Sequence, residues 1–125
     1  MPDSRTSRLI FALFLLLSLV AGLALAGNGA TTPVLKKVEA KKVCMVNNQV
    51  FEKDQIPVQV QGKTYYGCCE MCKERLSKDA AARTAKDPVT GNPVDKAKAV
   101  IVAQTDGSVL YFESEKTLAQ YKPKG

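Results

Sequence analysis

Apolar and polar positions alternate along residues 58–66, with a glycine at Gly62. A period of two on both sides of a turn residue is typical of a β-hairpin. Directly after it, apolar positions recur at helical spacing from Met71 to Leu76, and neither glycine nor proline interrupts them. The pattern therefore predicts a hairpin followed by a helix that starts next to Cys69.

The second half of the chain repeats this plan. A strand-like run at residues 99–103 leads through a turn at Gly107 into a second strand at residues 109–112, and Ser114 is a candidate N-cap for a short helix. Setting Gly62 against Gly107 gives an offset of 45 positions. With one residue of slippage for the last pair, it aligns Cys68 with Glu113, Cys69 with Ser114, Cys72 with Thr117 and Cys44 with Thr90. Such repetition indicates duplication, and the second copy has every thiol replaced.

Between the two copies, Ser77 is predicted to cap a second helix over residues 78–85. That helix is expected to end at Asp87, because a residue that precedes proline disfavours the helical conformation. The sequence therefore predicts an α+β fold with two small ββα units. One unit covers residues 43–86 and the other covers residues 87–125.

The N-terminal region has the pattern of a secretory signal peptide. Arg5 and Arg8 precede an unbroken apolar run over residues 9–26, which ends in Ala-Leu-Ala before Gly27. Cleavage there leaves 99 residues, of which residues 27–42 are predicted to be a flexible linker. An exported protein, periplasmic or secreted, is therefore expected. The alternative is an uncleaved membrane anchor, although the run is slightly short of the ~20 residues that span a bilayer.

Charge and composition exclude several function classes. The full chain carries a net charge of +6, but its lysines are scattered and no aromatic residues interleave with a basic stripe. A solvated surface explains this better than nucleic-acid binding, so no nucleic-acid partner is expected. The chain has no histidine and no paired carboxylates in a recognisable acid–base arrangement. We therefore expect no enzymatic activity.

The cysteines form a cluster rather than a disulfide framework. Three of the four lie within residues 68–72, and Cys44 lies 24 residues before Cys68. Bridges among neighbours so close in sequence would close only tiny loops and stabilise little. Thiols at the start of a helix face its positive end, which favours the thiolates that soft metals bind. A pair of disulfides, or thiol-redox chemistry at the Cys-x-x-Cys formed by Cys69 and Cys72, is the alternative.

These residues resemble a known group. Residues 65–68 (Tyr-Tyr-Gly-Cys) with Cys72 four positions after Cys68, and Cys44 upstream, resemble the cysteine pattern of TRASH and YHS domains. Residues 87–91 (Asp-Pro-Val-Thr-Gly) through 110–114 (Leu-Tyr-Phe-Glu-Ser) resemble the YHS pattern without its cysteines. The resemblance covers most of residues 43–121. It implies small treble-clef-like modules and heavy-metal binding, often linked to metal sensing, trafficking or resistance.

On this pattern the ligands carried over are Cys44, Cys68 and Cys72, whereas Cys69 stands where the family has an N-cap serine. All four thiolates together would suit the tetrahedral preference of Zn²⁺, with Cys69 as the fourth ligand. Three thiolates suit Cu(I) or another soft ion that accepts lower coordination. The sequence therefore predicts a metal-binding protein for Cu(I) or Zn²⁺, with a metal-trafficking protein as a further candidate partner.

Overall fold

The computed structural model describes residues 35–124, so the predicted signal peptide and the first part of the predicted linker lie outside the described residues. Within these residues, nine short strands and two α-helices follow one another, which gives an α+β fold as expected. The strands are β1 (Lys36–Lys37), β2 (Val43–Cys44), β3 (Gln49–Val50), β4 (Ile56–Val60), β5 (Lys63–Gly67), β6 (Thr84–Lys86), β7 (Pro93–Asp95), β8 (Val100–Ala103) and β9 (Val109–Phe112). The helices are α1 (Glu70–Lys78) and α2 (Glu115–Gln120).

All strand pairs are antiparallel. β2 pairs with β3, β4 with β5 and β6 with β7 in separate hairpins, and β1, β8 and β9 form a three-stranded sheet. Short 3₁₀ turns at Ala40–Lys42 and Ala81–Arg83 connect these elements. Among the described residues, no helix has the length and apolarity that a membrane crossing requires.

The hairpin and helix predicted at the centre of the chain are confirmed. β4 and β5 pair with Val58 opposite Tyr65. Gln61 and Gly62 at the turn have φ angles of 51° and 75°. Two successive positive φ angles are the geometry of a type I′ turn, whose twist matches that of the flanking strands. In the second copy, the predicted N-cap is also confirmed, because the Ser114 hydroxyl accepts a hydrogen bond from the Thr117 N–H.

The segment that follows the first helix differs from the sequence-based expectation. α1 runs on past Ser77, whose hydroxyl donates to the Lys73 carbonyl oxygen one turn earlier at 2.9 Å. The helix ends at Asp79, which is extended with φ of −108° and ψ of 111°, and the Asp79 carboxylate accepts from the Ala81 N–H at 2.9 Å. The prediction of a second helix over residues 78–85 is wrong, because pairing with β7 draws residues 84–86 into a strand.

The end of the predicted linker also carries structure. β1, within residues 27–42, pairs with β8, so that Lys36 lies opposite Ala103. The predicted unit boundary after residue 86 falls between the two strands of the β6–β7 hairpin.

One hydrophobic cluster contains residues of both copies. Val43, Met45 and Leu76 from the first copy pack with Ile101 and Tyr111 from the second. Backbone hydrogen bonds cross the same interface, with the Val109 N–H donating to the Asn48 carbonyl oxygen at 3.0 Å. The second copy therefore supports the segment that carries Cys44.

Candidate metal centre

Three cysteine sulfurs meet where β2, β5 and α1 converge. Cys44 ends β2, Cys68 directly follows β5, and Cys72 lies in the first turn of α1. Their Sγ atoms all lie within 4.8 Å of one another, and those of Cys68 and Cys72 are 3.6 Å apart. The structure thus brings together the three residues that the sequence predicted as ligands, close enough to hold one metal ion.

The Cys44 sulfur lies at the buried end of this group. The residues after it form a tight turn, which we call the knuckle (residues 44–48), closed by the Asn48 N–H donating to the Cys44 carbonyl oxygen at 2.8 Å. Burial acts to raise the pKa of the Cys44 thiol, but N–H groups of Asn47, Val46 and Cys68 that face the sulfur hold its pKa below the usual value. The turn therefore offsets the effect of burial and makes the Cys44 thiol easier to deprotonate.

The other two sulfurs become more accessible toward the surface. Cys72 is buried, whereas Cys68 is exposed and its sulfur accepts from the Asn47 side-chain amide at 3.5 Å. Burial and the neighbouring thiols raise the pKa of Cys72 to about 12. A bound cation would offset this cost, because it stabilises the thiolate form. The group is thus closed by protein on the Cys44 side and open to solvent on the Cys68 side.

Cys69 is not part of this group. It occupies the N-cap of α1 in an extended conformation, and its exposed sulfur lies 3.3 Å from that of Cys72. Its sulfur is absent from the set that shares the 4.8 Å separation. All four cysteines are free thiols in this structure. The arrangement therefore offers three converging sulfurs, with a fourth at the rim beside Cys72.

Gly67 allows β5 to approach the helix that carries Cys72. A Cβ atom at this position would lie 3.0 Å from the Cys72 Cβ and 3.2 Å from the Lys73 nitrogen. A larger residue would push the first turn of α1 away from Cys44.

We expect Gly67→Ala to lower the free energy of unfolding by about 1–3 kcal/mol, the usual cost of overpacking a tight contact. Because the displaced residue is Cys72, the same variant should also bind metal more weakly. Chemical denaturation and a metal competition titration measure the two effects. Wild-type values in both would show that this close approach does not position the sulfur.

The second copy has an aspartate where the first has Cys44. The Asp87 carbonyl oxygen accepts from the Gly91 N–H at 2.8 Å, as the Cys44 carbonyl does from Asn48. The two residues that close these turns both have positive φ angles, 55° at Asn48 and 72° at Gly91. The alignment of Cys44 with Thr90 is therefore wrong. The turns match at an offset of 43 positions, because the path from knuckle to helix is two residues longer in the second copy.

The Asp87 carboxylate makes the contacts that the Cys44 sulfur makes. It is almost fully buried and accepts backbone hydrogen bonds from Val89, Thr90 and Glu113 at 2.7, 3.3 and 2.9 Å. Burial acts to raise the pKa of Asp87, but the facing Thr117 hydroxyl and these N–H groups hold it below the usual value. Hydrogen bonds to one carboxylate thus join the knuckle to the end of β9, and Thr117 of the helix faces the same carboxylate.

The helix alignment at an offset of 45 positions is confirmed. Cys69 and Ser114 are both N-caps, with φ and ψ of −154° and 171° in the first and −160° and 166° in the second. Three positions later, Cys72 and Thr117 are both buried.

Sequence reasoning missed Asp87, although its place at the start of residues 87–91 was a usable signal. It also missed Lys96, which lies beneath the knuckle of the first copy and which no motif marks.

No family model, curated protein or solved structure matches this chain.

Proposed function

We propose that this protein is an exported heavy-metal-binding protein that holds one soft metal ion through the thiolates of Cys44, Cys68 and Cys72. The observation that carries the proposal is the convergence of these sulfurs within 4.8 Å of one another. In a tetrahedral site with metal–sulfur bonds of about 2.3 Å, ligand sulfurs lie about 3.8 Å apart. The 3.6 Å between the Cys68 and Cys72 sulfurs is close to that spacing.

Three sulfurs favour Cu(I) as the ion. Cu(I) is a soft cation that thiolate ligands select, and it accepts fewer ligands than Zn²⁺. Zn²⁺ would need a fourth ligand, which Cys69 could supply only by moving toward Cys44, or which a water molecule could supply. The order of knuckle, hairpin and helix in both copies supports a treble-clef-like module of the TRASH and YHS type, whose cysteine pattern the first copy resembles.

Exposure of the sulfurs supports a cargo role over a purely structural one. Cys68 and Cys69 are exposed, so a ligand from another protein could reach the ion from that side. A structural zinc site, in contrast, is normally closed by four protein ligands. We propose metal trafficking or resistance as the role, with a metal-exchanging protein as partner.

Thiol-redox chemistry is the second candidate function. The observation in its favour is the 3.3 Å between the Cys69 and Cys72 sulfurs, which are the ends of a Cys-x-x-Cys sequence. Formation of that disulfide would remove Cys72 from the metal group. Metal content and free-thiol count therefore distinguish the two functions.

Native mass spectrometry of the exported protein, purified without reductant, tests the proposal. We expect a chain that begins at Gly27 and carries one metal ion, because the second copy has no thiol at its centre. After denaturation under chelation, all four thiols should be alkylated. A metal-free chain whose mass and thiol count show disulfides would overturn metal binding in favour of redox chemistry. A chain that retains residues 1–26 would indicate a membrane anchor.

A further inference from the structure

Lys96 extends from the second copy into the underside of the metal-site knuckle. Its ammonium group donates to the Met45 carbonyl oxygen at 2.6 Å and to the Asn48 side-chain oxygen at 2.9 Å. It also lies 5.1 Å from the centre of the Tyr111 ring. The residue is only 5% exposed, so a lysine charge is buried directly behind the turn that carries Cys44.

This buried charge has no carboxylate partner. Ion pairs form at eight places among residues 35–124, and none includes Lys96. Two neutral oxygens and an aromatic face compensate only part of the cost of removing an ammonium from water. Burial lowers the pKa of Lys96 to about 8, the nearby Cys44 acts to raise it, and the charge of Arg75 lowers it further.

The only negative charge that can face this ammonium from the knuckle is the Cys44 thiolate. Three thiolates with a monovalent ion form a complex of charge −2, and with a divalent ion a complex of charge −1. Both complexes attract a buried cation, and the attraction is strong because water does not screen it. The doubly negative complex gains more from the cation than the singly negative one.

We propose that Lys96 is the counter-charge of the metal–thiolate centre, and that it raises metal affinity most for monovalent ions. This proposal rests on the proposed function and specifies which class of ion the site prefers. It gives the cysteine-free copy a role in the metal site, because that copy supplies the charge. It also explains why an ammonium without a carboxylate partner lies behind Cys44.

A purely structural role for Lys96 makes a different prediction. If its two hydrogen bonds only stabilise the knuckle, their loss should lower the affinity for every metal ion by the same factor. If the charge of Lys96 stabilises the bound metal, the loss of affinity should depend on the charge of the metal–thiolate complex. The ratio of two affinities measured on one variant separates these cases, because both titrations start from the same metal-free protein.

The test uses Ag⁺ and Cd²⁺ as the monovalent and divalent probes, in a Cys69→Ser background that limits both ions to the same three thiolates. Lys96→Met removes the charge at similar length, and Lys96→Gln removes it but keeps a hydrogen-bond donor. Lys78→Met is the matched control, since Lys78 is an exposed lysine on the helix that carries Cys72. Competition titrations give the affinities, and circular dichroism verifies that each variant is folded.

We expect both Lys96 variants to weaken Ag⁺ binding about tenfold more than Cd²⁺ binding, because the Ag⁺ complex carries one more negative charge for the ammonium to stabilise. Lys78→Met should change neither affinity by more than about twofold, because solvent screens its charge. An unchanged Ag⁺ to Cd²⁺ ratio in the Lys96 variants would overturn the proposal. If neither ion bound the wild-type chain, the proposed function itself would fail.

A second measurement covers the case in which the variants do not fold. Nitrogen NMR of the lysine side chains in the wild-type protein reports whether the Lys96 amine becomes harder to deprotonate when Ag⁺ or Cd²⁺ binds. We expect the titration of Lys96 to move to higher pH by one unit or more. A Lys96 titration that is the same with and without metal would contradict the proposal.

Discussion

Replacing Cys44 by serine is expected to abolish tight metal binding while the chain remains folded. The Cys44 sulfur is the fully buried member of the three, and a serine hydroxyl is neither soft nor ionised at neutral pH. Two thiolates would remain. Loss of a residue that only orients a ligand already costs about 10–100-fold in affinity, so loss of the ligand itself should cost at least about 100-fold. Competition with a chromophoric chelator measures the affinity of each variant.

Cys69→Ser is the matched control for this experiment. It makes the same chemical change at a cysteine whose sulfur lies outside the group of three, and serine is a favoured N-cap residue. Metal affinity should stay within a few-fold of the wild type, and the helix should be stabilised. Equal damage from Cys69→Ser and Cys44→Ser would indicate a four-thiolate site and would favour structural Zn²⁺.

The first copy could be predicted well from the sequence because its signals are local. Alternation around Gly62 specified a hairpin, and helical spacing after Cys69 specified the helix, so the separation of Cys68 and Cys72 by one turn followed directly. Placing Cys44 beside them required only that a short turn precede the hairpin. These are short-range patterns, and tertiary contacts do not override them here.

Three of the failures involve pairings between segments that no local sequence pattern encodes. Residues 78–85 are rich in alanine, the best helix former, but residues 84–86 form a strand because β7 offers backbone partners. β1 is a lysine pair without strand character, and it forms a strand by pairing with β8. Lys96 lies 51 positions from Met45, whose carbonyl oxygen it contacts. A single sequence does not encode such pairings in any local period.

The alignment of the second copy failed for a different reason. The sequence alignment moves the Cys44 pair by one residue beyond the offset of 45, to Thr90, whereas the knuckle matches at 43 positions and the helix at 45. In addition, an aspartate stands where the first copy has a thiolate, and a search for matching cysteines does not find it. Both are anions that accept hydrogen bonds from backbone N–H groups, so a carboxylate can link the knuckle to the strand end directly, where a thiolate would link them through a metal.

Asp87→Asn is therefore expected to be the most destabilising conservative change in the second copy. The carboxylate accepts from three backbone N–H groups with both oxygens, and an asparagine would place an NH₂ group against one of those donors. A buried donor left without an acceptor costs about 1–3 kcal/mol, and more when the lost acceptor is charged. We expect the free energy of unfolding to fall by about 3 kcal/mol, as measured by chemical denaturation in the presence of a chelator.

The pH dependence of this effect separates it from simple packing. The pKa of Asp87 is lower in the folded protein than in the unfolded chain. The contribution of the ionised carboxylate to the free energy of unfolding is therefore complete above the unfolded-state pKa of about 3.9, and it is lost as pH falls through the folded-state pKa. The difference in free energy of unfolding between wild type and Asp87→Asn should thus be largest at neutral pH and should become smaller in acid. Asp106→Asn is the control, since that exposed carboxylate accepts only from Ser108, and we expect it to cost less than about 1 kcal/mol. Equal losses from the two substitutions, or a wild-type advantage that does not change with pH, would show that the Asp87 charge does not hold the second copy together.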